Sequence, residues 1–356
     1  MCRNLPLFLL FWEKLWYNRK MNPQSGNVCQ GEVTMEQMNK NENVILSDIY
    51  NAIRTHQAGK GDVELNGVIN AFARSMQEGK QCLILFRTEM RNGTERRAFA
   101  MMGDKAGHTL FPLFTDMTKI LPVQMAMEKQ GNKMEIGVMG LKELLLMLTS
   151  QKMCDGIIVN PFMQNFNAKL DFFANILRVK PISHITLIQA ESANLHTDAI
   201  VCPTDAVISG AMALDSAMKQ AGGEGYDAVI QNALQGEKMD TADVTVVQGH
   251  DQIHAKYVLF VNVPEHSAQT NTKDLLDSYL NCMNVAKELN CKSITFPCTS
   301  AAMKGLPMEA VVGASTTAVT AWMAKNQDFP IDVYFCCETE EQTAMYRAFF
   351  NGLSKK

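Results

Sequence analysis

The sequence predicts two folded domains, an α+β domain followed by a three-layer α/β domain with a mixed central sheet. A chain of 356 residues exceeds what a single hydrophobic core usually organises. Its composition, with 47% apolar and 20% charged residues, is typical of a globular protein. Strand and helix patterns are grouped irregularly up to residue 178 and alternate regularly from residue 185 onward, which favours a change of fold class between them.

The formal net charge of -4 provides no broad positive field, so we expect neither duplex nucleic acid nor an anionic membrane as a partner. The 10 cysteines show none of the paired spacings of zinc sites and no dense disulfide framework, which favours reduced thiols in the cytoplasm. His250 and His254 are four residues apart but lie around a predicted turn. We therefore predict no metal and no cofactor.

Residues 1–43 are predicted to form a flexible leader. The apolar stretch within the first twenty residues is shorter than the roughly 20 residues that span a bilayer, and no clear cleavage site follows it. Two interpretations stay open: an amphipathic anchor, or an upstream artefact before a start at Met21. Neither predicts stable membrane insertion.

Residues 44–178 are predicted to form the α+β domain. Two helical patterns open it, with Ser47 available as a cap of the first. A β-hairpin with a turn at Asn92 and Gly93 follows. Further strands and helices are predicted in "GHTLFPLFTDMTKILP", "KMEIGVM", "GLKELLLMLTSQ", "CDGIIVNPF" and "AKLDFFANILR".

Two motifs in this domain resemble the SseB family: "TLFPLFTD" at residues 109–116 and "IIVNPF" at residues 157–162. The resemblance implies a small bacterial fold with no well-established catalytic site, and it suggests a protein partner.

Residues 179–184 are predicted to be a linker that contains Pro181, and residues 185–356 to be the α/β domain. Its predicted strands are 185–189, 198–202, 243–248, 256–263, 292–297 and 331–337. Its predicted helices lie near 212–221, 224–233, 272–289 and 308–325. Ligands of such sheets gather at the carboxyl ends of the strands.

Three segments of this domain resemble the macrodomain family: "TDAIVCPTDAVISGAMALDSAMKQAGG", "AKYVLFVNVP" and "SITFPCTSAAMKGLP". The resemblance implies ADP-ribose binding and, in some members, hydrolysis of ADP-ribosyl or acetyl-ADP-ribose esters. In that family two loops close over the diphosphate and offer backbone N–H groups to it.

The residues that match the family's ligand loops are Gly210, Asp215, Ser300 and Gly305, which we predict to bind the ligand. Three other loop glycines are replaced, by Ala211, Met212 and Ala213, and the second loop carries Ala301, Ala302 and Met303. Either Met212 turns outward or the phosphate is excluded.

Two carboxylates lie in the region of the first loop. Asp205 replaces an asparagine, and its charge is unfavourable beside a diphosphate. Asp215 matches the aspartate that hydrolases use near water, but it also suits the first turn of a helix, where a carboxylate complements the dipole. No catalytic residue is assigned, and Asp215 is the candidate.

Other ligand positions are altered as well. Glu191 stands where binders carry an aspartate to adenine, and it is equally consistent with a surface glutamate. Cys337 replaces a stacking aromatic residue, and Phe260 replaces a histidine and indicates core packing. Cys202, Cys298 and Cys337 near the strand ends fit either reactive or buried structural thiols.

These observations favour a non-catalytic or weakly binding protein that recognises an ADP-ribose-like nucleotide or a protein partner. One alternative is an ester hydrolase that uses Asp215 together with Asp205. Another is a scaffold that binds proteins through the SseB-like domain.

Overall fold

The computed structural model describes residues 44–60, 64–91, 94–129, 133–265, 272–298 and 304–353. The predicted leader lies outside these residues. The chain divides into two compact units. Among the described residues, the first unit comprises residues 44–45 and 80–174, and the second comprises residues 46–79 and 175–353.

The first unit contains two β-sheets. One is a three-stranded antiparallel sheet of order β2-β1-β5, and the other is a four-stranded sheet of order β3-β4-β6-β7 in which β4 and β6 run parallel. The elements are β1 (Gln81–Arg91), β2 (Thr94–Phe99), β3 (Met102–Gly103), β4 (Thr109–Leu113), α3 (Met117–Glu128), β5 (Met134–Gly140), α4 (Leu141–Gln151), β6 (Gly156–Val159), β7 (Phe166–Lys169) and α5 (Leu170–Ile176), which crosses the boundary of the unit.

The motifs at residues 109–116 and 157–162 lie side by side, because β4 pairs in parallel with β6. Their ends are joined by Asn160, whose buried side chain accepts from the backbone N–H of Thr115 at 3.0 Å. The two motifs are therefore neighbouring parts of one local structure.

The second unit is an α/β structure around a six-stranded mixed sheet of order β10-β11-β9-β12-β13-β8. All neighbouring pairs are parallel except β10 and β11. The elements are α1 (Ser47–Ala58), α2 (Asn66–Gln77), β8 (His184–Gln189), β9 (Ala199–Thr204), α6 (Ala213–Ala221), α7 (Tyr226–Leu234), β10 (Val244–Gln248), β11 (Tyr257–Asn262), α8 (Thr272–Glu288), β12 (Ser293–Pro297), α9 (Met308–Lys325), β13 (Asp332–Cys337) and α10 (Glu340–Leu353).

The combination of parallel and antiparallel pairs confirms the predicted mixed sheet of the α/β domain, and helices cover both of its faces. One face packs with α8, α9 and α10 in a cluster that includes Val261, Phe296 and Phe335. The opposite face packs with α6 and α7 through residues such as Cys202 and Phe260. The alternation of buried side chains along each strand places neighbouring residues on opposite faces.

The helices α1 and α2, which precede β1 in the chain, belong to the second unit. Arg74 on α2 pairs with Asp332 at the start of β13 at 2.8 Å, and both side chains are buried. Asn70 donates to the same carboxylate at 2.6 Å. Gly67 lies so close to Tyr334 that a Cβ would fall 2.0 Å from its hydroxyl oxygen. These contacts are why the units differ from the predicted first domain of residues 44–178, which counted both helices with the sheets of the first unit.

Several local predictions need correction. Ser47 is not the cap of α1, because Leu46 occupies that position and no side chain caps the helix. The sequence patterns did not predict β7 or α10. The hairpin of β1 and β2 is confirmed by the pairing of Arg91 with Thr94, while its turn at residues 92–93 lies outside the described residues. Within the described ranges, none of the helices has the length and hydropathy to cross a membrane.

Candidate functional site

The candidate site lies where β9, β11, β12 and β13 end, at one edge of the second unit's sheet. Residues 205–212, which we call the first loop, lead from β9 into α6. Ile208 and Gly210 in this loop have φ angles of 52° and 85°. A positive φ is uncommon for a β-branched residue. Because the Ile208 side chain is fully buried, packing holds the loop in this strained shape.

The backbone N–H groups of five consecutive residues in the first loop donate to acceptors inside the loop or at the start of α6. Asp205 accepts three of the five bonds, two of them at its carboxylate. The bonds are Val207 to Asp205 Oδ1 (3.0 Å), Ile208 to Asp205 O (3.3 Å), Ser209 to Asp205 Oδ1 (3.1 Å), Gly210 to Asp215 Oδ2 (2.9 Å) and Ala211 to Ser209 Oγ (3.2 Å). An anion entering the loop therefore meets donors that are already engaged.

Asp205 organises the loop from its first position. Beyond the two amides, the hydroxyl of Ser209 donates to its second carboxylate oxygen. Partial burial opposes ionisation, but the hydrogen bonds from Ser209 and Val207 and the charge of Lys304 lower the pKa of Asp205 below its usual value. Asp205 is therefore a carboxylate at neutral pH, with its charge placed inside the loop.

Asp215 lies in the first turn of α6 and is completely buried. Its Oδ2 accepts from the Thr204 hydroxyl at 2.8 Å and from the Gly210 amide at 2.9 Å. Its Oδ1 has no hydrogen-bond partner among the described residues. Burial raises the pKa of Asp215, although both donors favour the charged form. Asp215 thus ties the end of β9 to the end of the first loop.

Met212 occupies the N-cap position of α6 and makes no capping hydrogen bond through its side chain. It is half-buried and packs against the cluster that includes Val263, Cys298 and Leu306. The Met212 side chain therefore lies against the hydrophobic core of the second unit.

The second predicted loop is described from Lys304 onward, so Ser300 and the substitutions at residues 301–303 lie outside the described residues. Gly305 is exposed, has a φ of 74° and has open space where a Cβ would stand. Lys304, with a φ of 52°, donates from Nζ to Asn262 Oδ1 at 3.2 Å. Asn262 is the last residue of β11, so Lys304 reaches the same edge as the first loop.

The residues considered at the altered ligand positions are bonded to a neighbouring side chain or buried. Glu191 is exposed and accepts from Asn194 at 2.9 Å. Cys337 is fully buried, and a hydrogen bond from the Cys298 thiol lowers its pKa. Phe260 is a core residue, as predicted. The eight cysteines among the described residues are free and buried, including Cys202.

His250 and His254 lie in the connection between β10 and β11 and make separate contacts. His250 Nδ1 lies 3.0 Å from the Gly222 carbonyl oxygen, and His254 stacks on His196 with ring centroids 4.3 Å apart. Within the part of the chain that the structure describes, no three His, Cys, Asp or Glu side chains converge as metal ligands.

Four residues of the site were missed from sequence: Thr204, Ser209, Asn262 and Lys304. Ser209 had a usable signal, since serine side chains commonly form local hydrogen bonds in turns. Thr204 had none, because its partner Asp215 lies 11 residues further along the chain. Asn262 and Lys304 are 42 residues apart in the chain, and their contact arises from the tertiary fold alone.

The Macro domain family model matches residues 201–314. The human ADP-ribose glycohydrolase MACROD2 is 28% identical over 170 residues, which are 47% of this chain and 39% of the relative. This chain therefore spans about two fifths of the length of that relative. The O-acetyl-ADP-ribose deacetylase of Escherichia fergusonii is 27% identical over 168 residues, which are 46% of this chain and 93% of the relative.

Solved structures that match part of this chain include the Oceanobacillus iheyensis macrodomain with ADP. It is 19% identical and covers 49% of this chain and 93% of its own, with a TM-score of 0.45. The Trypanosoma brucei macrodomain in complex with ADP-ribose is 20% identical and covers 47% of this chain and 69% of its own, with a TM-score of 0.42. On the family match and the curated relatives, residues 201–314 of this chain are a Macro domain.

Proposed function

We propose that the second unit binds an ADP-ribose-like nucleotide at the carboxyl edge of its sheet and does not hydrolyse it. The observation that carries this proposal is the complete burial of Asp215, with Oδ2 engaged by Thr204 and Gly210. A general base must come within hydrogen-bond reach of the water that it deprotonates. Asp215 instead serves the shape of the first loop.

The nucleotide class is supported by two relatives that are named for reactions of ADP-ribose compounds. Gly210 and Gly305 keep their proposed ligand-binding roles, because both have a positive φ and permit close approach of a ligand to the backbone. In this proposal Asp215 supports binding indirectly, by fixing the loop. Ser300 is retained as a proposed ligand residue on its sequence match alone.

Calorimetry with ADP-ribose, combined with assays of ADP-ribosylated protein and O-acetyl-ADP-ribose, tests this proposal. We expect the wild-type protein to bind ADP-ribose and to release no product. Asp215→Asn should still bind, because the amide oxygen can accept from both donors, whereas Asp215→Ala should bind at least about tenfold more weakly. Asp171→Asn, an exposed carboxylate in the first unit, is the matched control.

The ester hydrolase is the second candidate, and the unpartnered Oδ1 of Asp215 with its raised pKa favours it. The charge of Asp205 contributes to that raised pKa, so the two carboxylates do influence each other. Product release by the wild-type protein that Asp215→Asn abolishes would contradict the non-hydrolytic proposal and establish this one.

A protein partner of the first unit is the third candidate. The turn at residues 160–165 presents Phe162 and Met163 to solvent, with 59% and 43% of their surfaces exposed. Phe162 has a φ of 66°, a strained conformation that is common at functional sites. A chain that binds neither ADP-ribose nor its esters would leave this as the favoured function.

The free, buried cysteines support a cytoplasmic location as part of the proposal.

A further inference from the structure

The first loop has lost most of its capacity to bind an anion through its backbone. The backbone N–H groups of residues 207–211 all donate to acceptors in the first loop or at the start of α6. The Asp205 carboxylate accepts two of these five hydrogen bonds. A phosphate held by this edge of the sheet therefore needs positive charge from another element.

Lys304 supplies such a charge. Its ammonium donates to Asn262 Oδ1, and the orientation of that amide is fixed because Asn262 Nδ2 donates to the carbonyls of Met239 and Asp240 at 3.0 and 3.2 Å. Asn262 is also buried. The chain thus holds the Lys304 ammonium in one place at the end of β11.

The contact with Asn262 leaves the charge of Lys304 available. An ammonium has three donors, and a neutral amide does not neutralise it. By contrast, Lys219, which lies beside Gly210, pairs with the carboxylate of Asp227 at 3.0 Å. Lys304 is also close enough to Asp205 for its charge to favour the ionised carboxylate, which places it next to the first loop.

We infer that Lys304 binds the phosphate of the nucleotide at the carboxyl edge of the sheet, where the backbone donors of the first loop are already engaged. This inference rests on the proposed nucleotide-binding function. The ligand class is a nucleotide with a diphosphate, since the ammonium and the remaining N–H groups at the start of α6 both favour an anion. The negative charge of Asp205, which interacts with Lys304, opposes the binding of an anion.

The test measures binding of three probes by calorimetry: ADP-ribose, inorganic pyrophosphate and adenosine, which has no phosphate. The variants are Lys304→Met, which keeps the length of the side chain without its charge, and Lys304→Arg, which keeps the charge. Lys256→Met is the matched control, because Lys256 is exposed and precedes β11 at the opposite edge of the sheet.

We expect Lys304→Met to bind ADP-ribose and pyrophosphate about tenfold more weakly than the wild-type protein, with adenosine unchanged. Lys304→Arg should restore binding to within about threefold, and Lys256→Met should behave as wild type. Equal binding of pyrophosphate by the wild type and Lys304→Met would overturn the inference, as would a wild type that does not bind pyrophosphate. An equal loss of adenosine binding would also overturn the inference, because Lys304 would then act on the shape of the site and not on the phosphate.

Failure of the proposed function has a different signature. A wild-type protein that binds pyrophosphate through Lys304 but does not bind ADP-ribose would refute the nucleotide-binding function and leave the anion site intact.

Discussion

At the scale of single residues, hydrogen bonding decides what each carboxylate in the first loop does. Asp205 and Asp215 carry the same functional group, but Asp205 is ionised in a turn that surrounds it with donors, while Asp215 is buried and has one free oxygen. The difference lies in which atoms reach each carboxylate, and the residue types alone do not determine this. Sequence comparison located both aspartates but did not assign their roles.

His196 leads to a prediction about pH. Burial, and then the charges of His254 and Arg54, lower its pKa from 6.5 to about 4. Because the imidazole of His196 is harder to protonate in the folded state than in the unfolded state, its contribution to the free energy of unfolding is complete above pH 6.5. That contribution is lost as the pH falls toward 4. We expect the free energy of unfolding to drop by about 2 kcal/mol more in the wild type than in His196→Gln between pH 7.5 and pH 5.

Denaturant unfolding at the two pH values measures this difference, and NMR titration of the His196 ring measures the pKa directly. A normal titration of His196 near pH 6.5 would contradict the prediction.

At the scale of elements, the strands of the second unit were the most predictable part of the molecule. The strand predicted at 331–337 is β13, and the helix predicted near 308–325 is α9, because apolar runs and helical periodicity report burial directly. The start of α1 was less predictable, since Leu46 precedes the helix and no side chain caps it. The path of the first loop was also not predictable, because it depends on buried contacts of Ile208 and Asp215 with other elements.

Gly210 leads to a prediction about the first loop. Its φ of 85° is unfavourable for any other residue, and a Cβ would lie 3.3 Å from Lys219 Cδ. We expect Gly210→Ala to lower the free energy of unfolding by about 1–2 kcal/mol and to weaken ADP-ribose binding. Gly352→Ala, in α10 with no atom within 4 Å of the new Cβ, should be neutral or slightly stabilising.

Thermal unfolding and calorimetry of both variants check this prediction. Wild-type stability in Gly210→Ala would mean that the first loop relaxes without cost and that its shape is not fixed by the contacts described above.

At the scale of the whole molecule, the second unit is built from two separate parts of the chain. Residues 46–79 supply α1 and α2, and residues 175–356 supply the sheet and the remaining helices. Sequence patterns identified the helices but assigned them to the neighbouring domain, since adjacency in sequence carries no information about the partner of Arg74. The sequence of β13 also does not show that the buried carboxylate of Asp332 pairs with the guanidinium of Arg74.

Arg74→Met is predicted to be strongly destabilising. It leaves the carboxylate of Asp332 buried with Asn70 as a neutral donor, and such loss of one partner costs about 3–5 kcal/mol. Adding Asp332→Asn to this variant should recover part of the loss, because the uncompensated charge is then removed. Denaturant unfolding of the single and double variants measures both effects.

The same ion pair predicts that a fragment of residues 185–356, the predicted second domain, is less stable than that unit in the full chain. Equal stability of Arg74→Met and the wild type would contradict both expectations.

The distance between Arg74 and Asp332 along the chain has a consequence for biosynthesis. The two residues are separated by 258 positions, so a ribosome at its ordinary speed needs on the order of 10–50 s between making one and making the other. Throughout that interval the polar face of α2 lacks the carboxylate that it binds in the native protein. The native contact of α2 can form only after β13 has been synthesised. We therefore expect the second unit to complete its folding only after β13 leaves the exit tunnel.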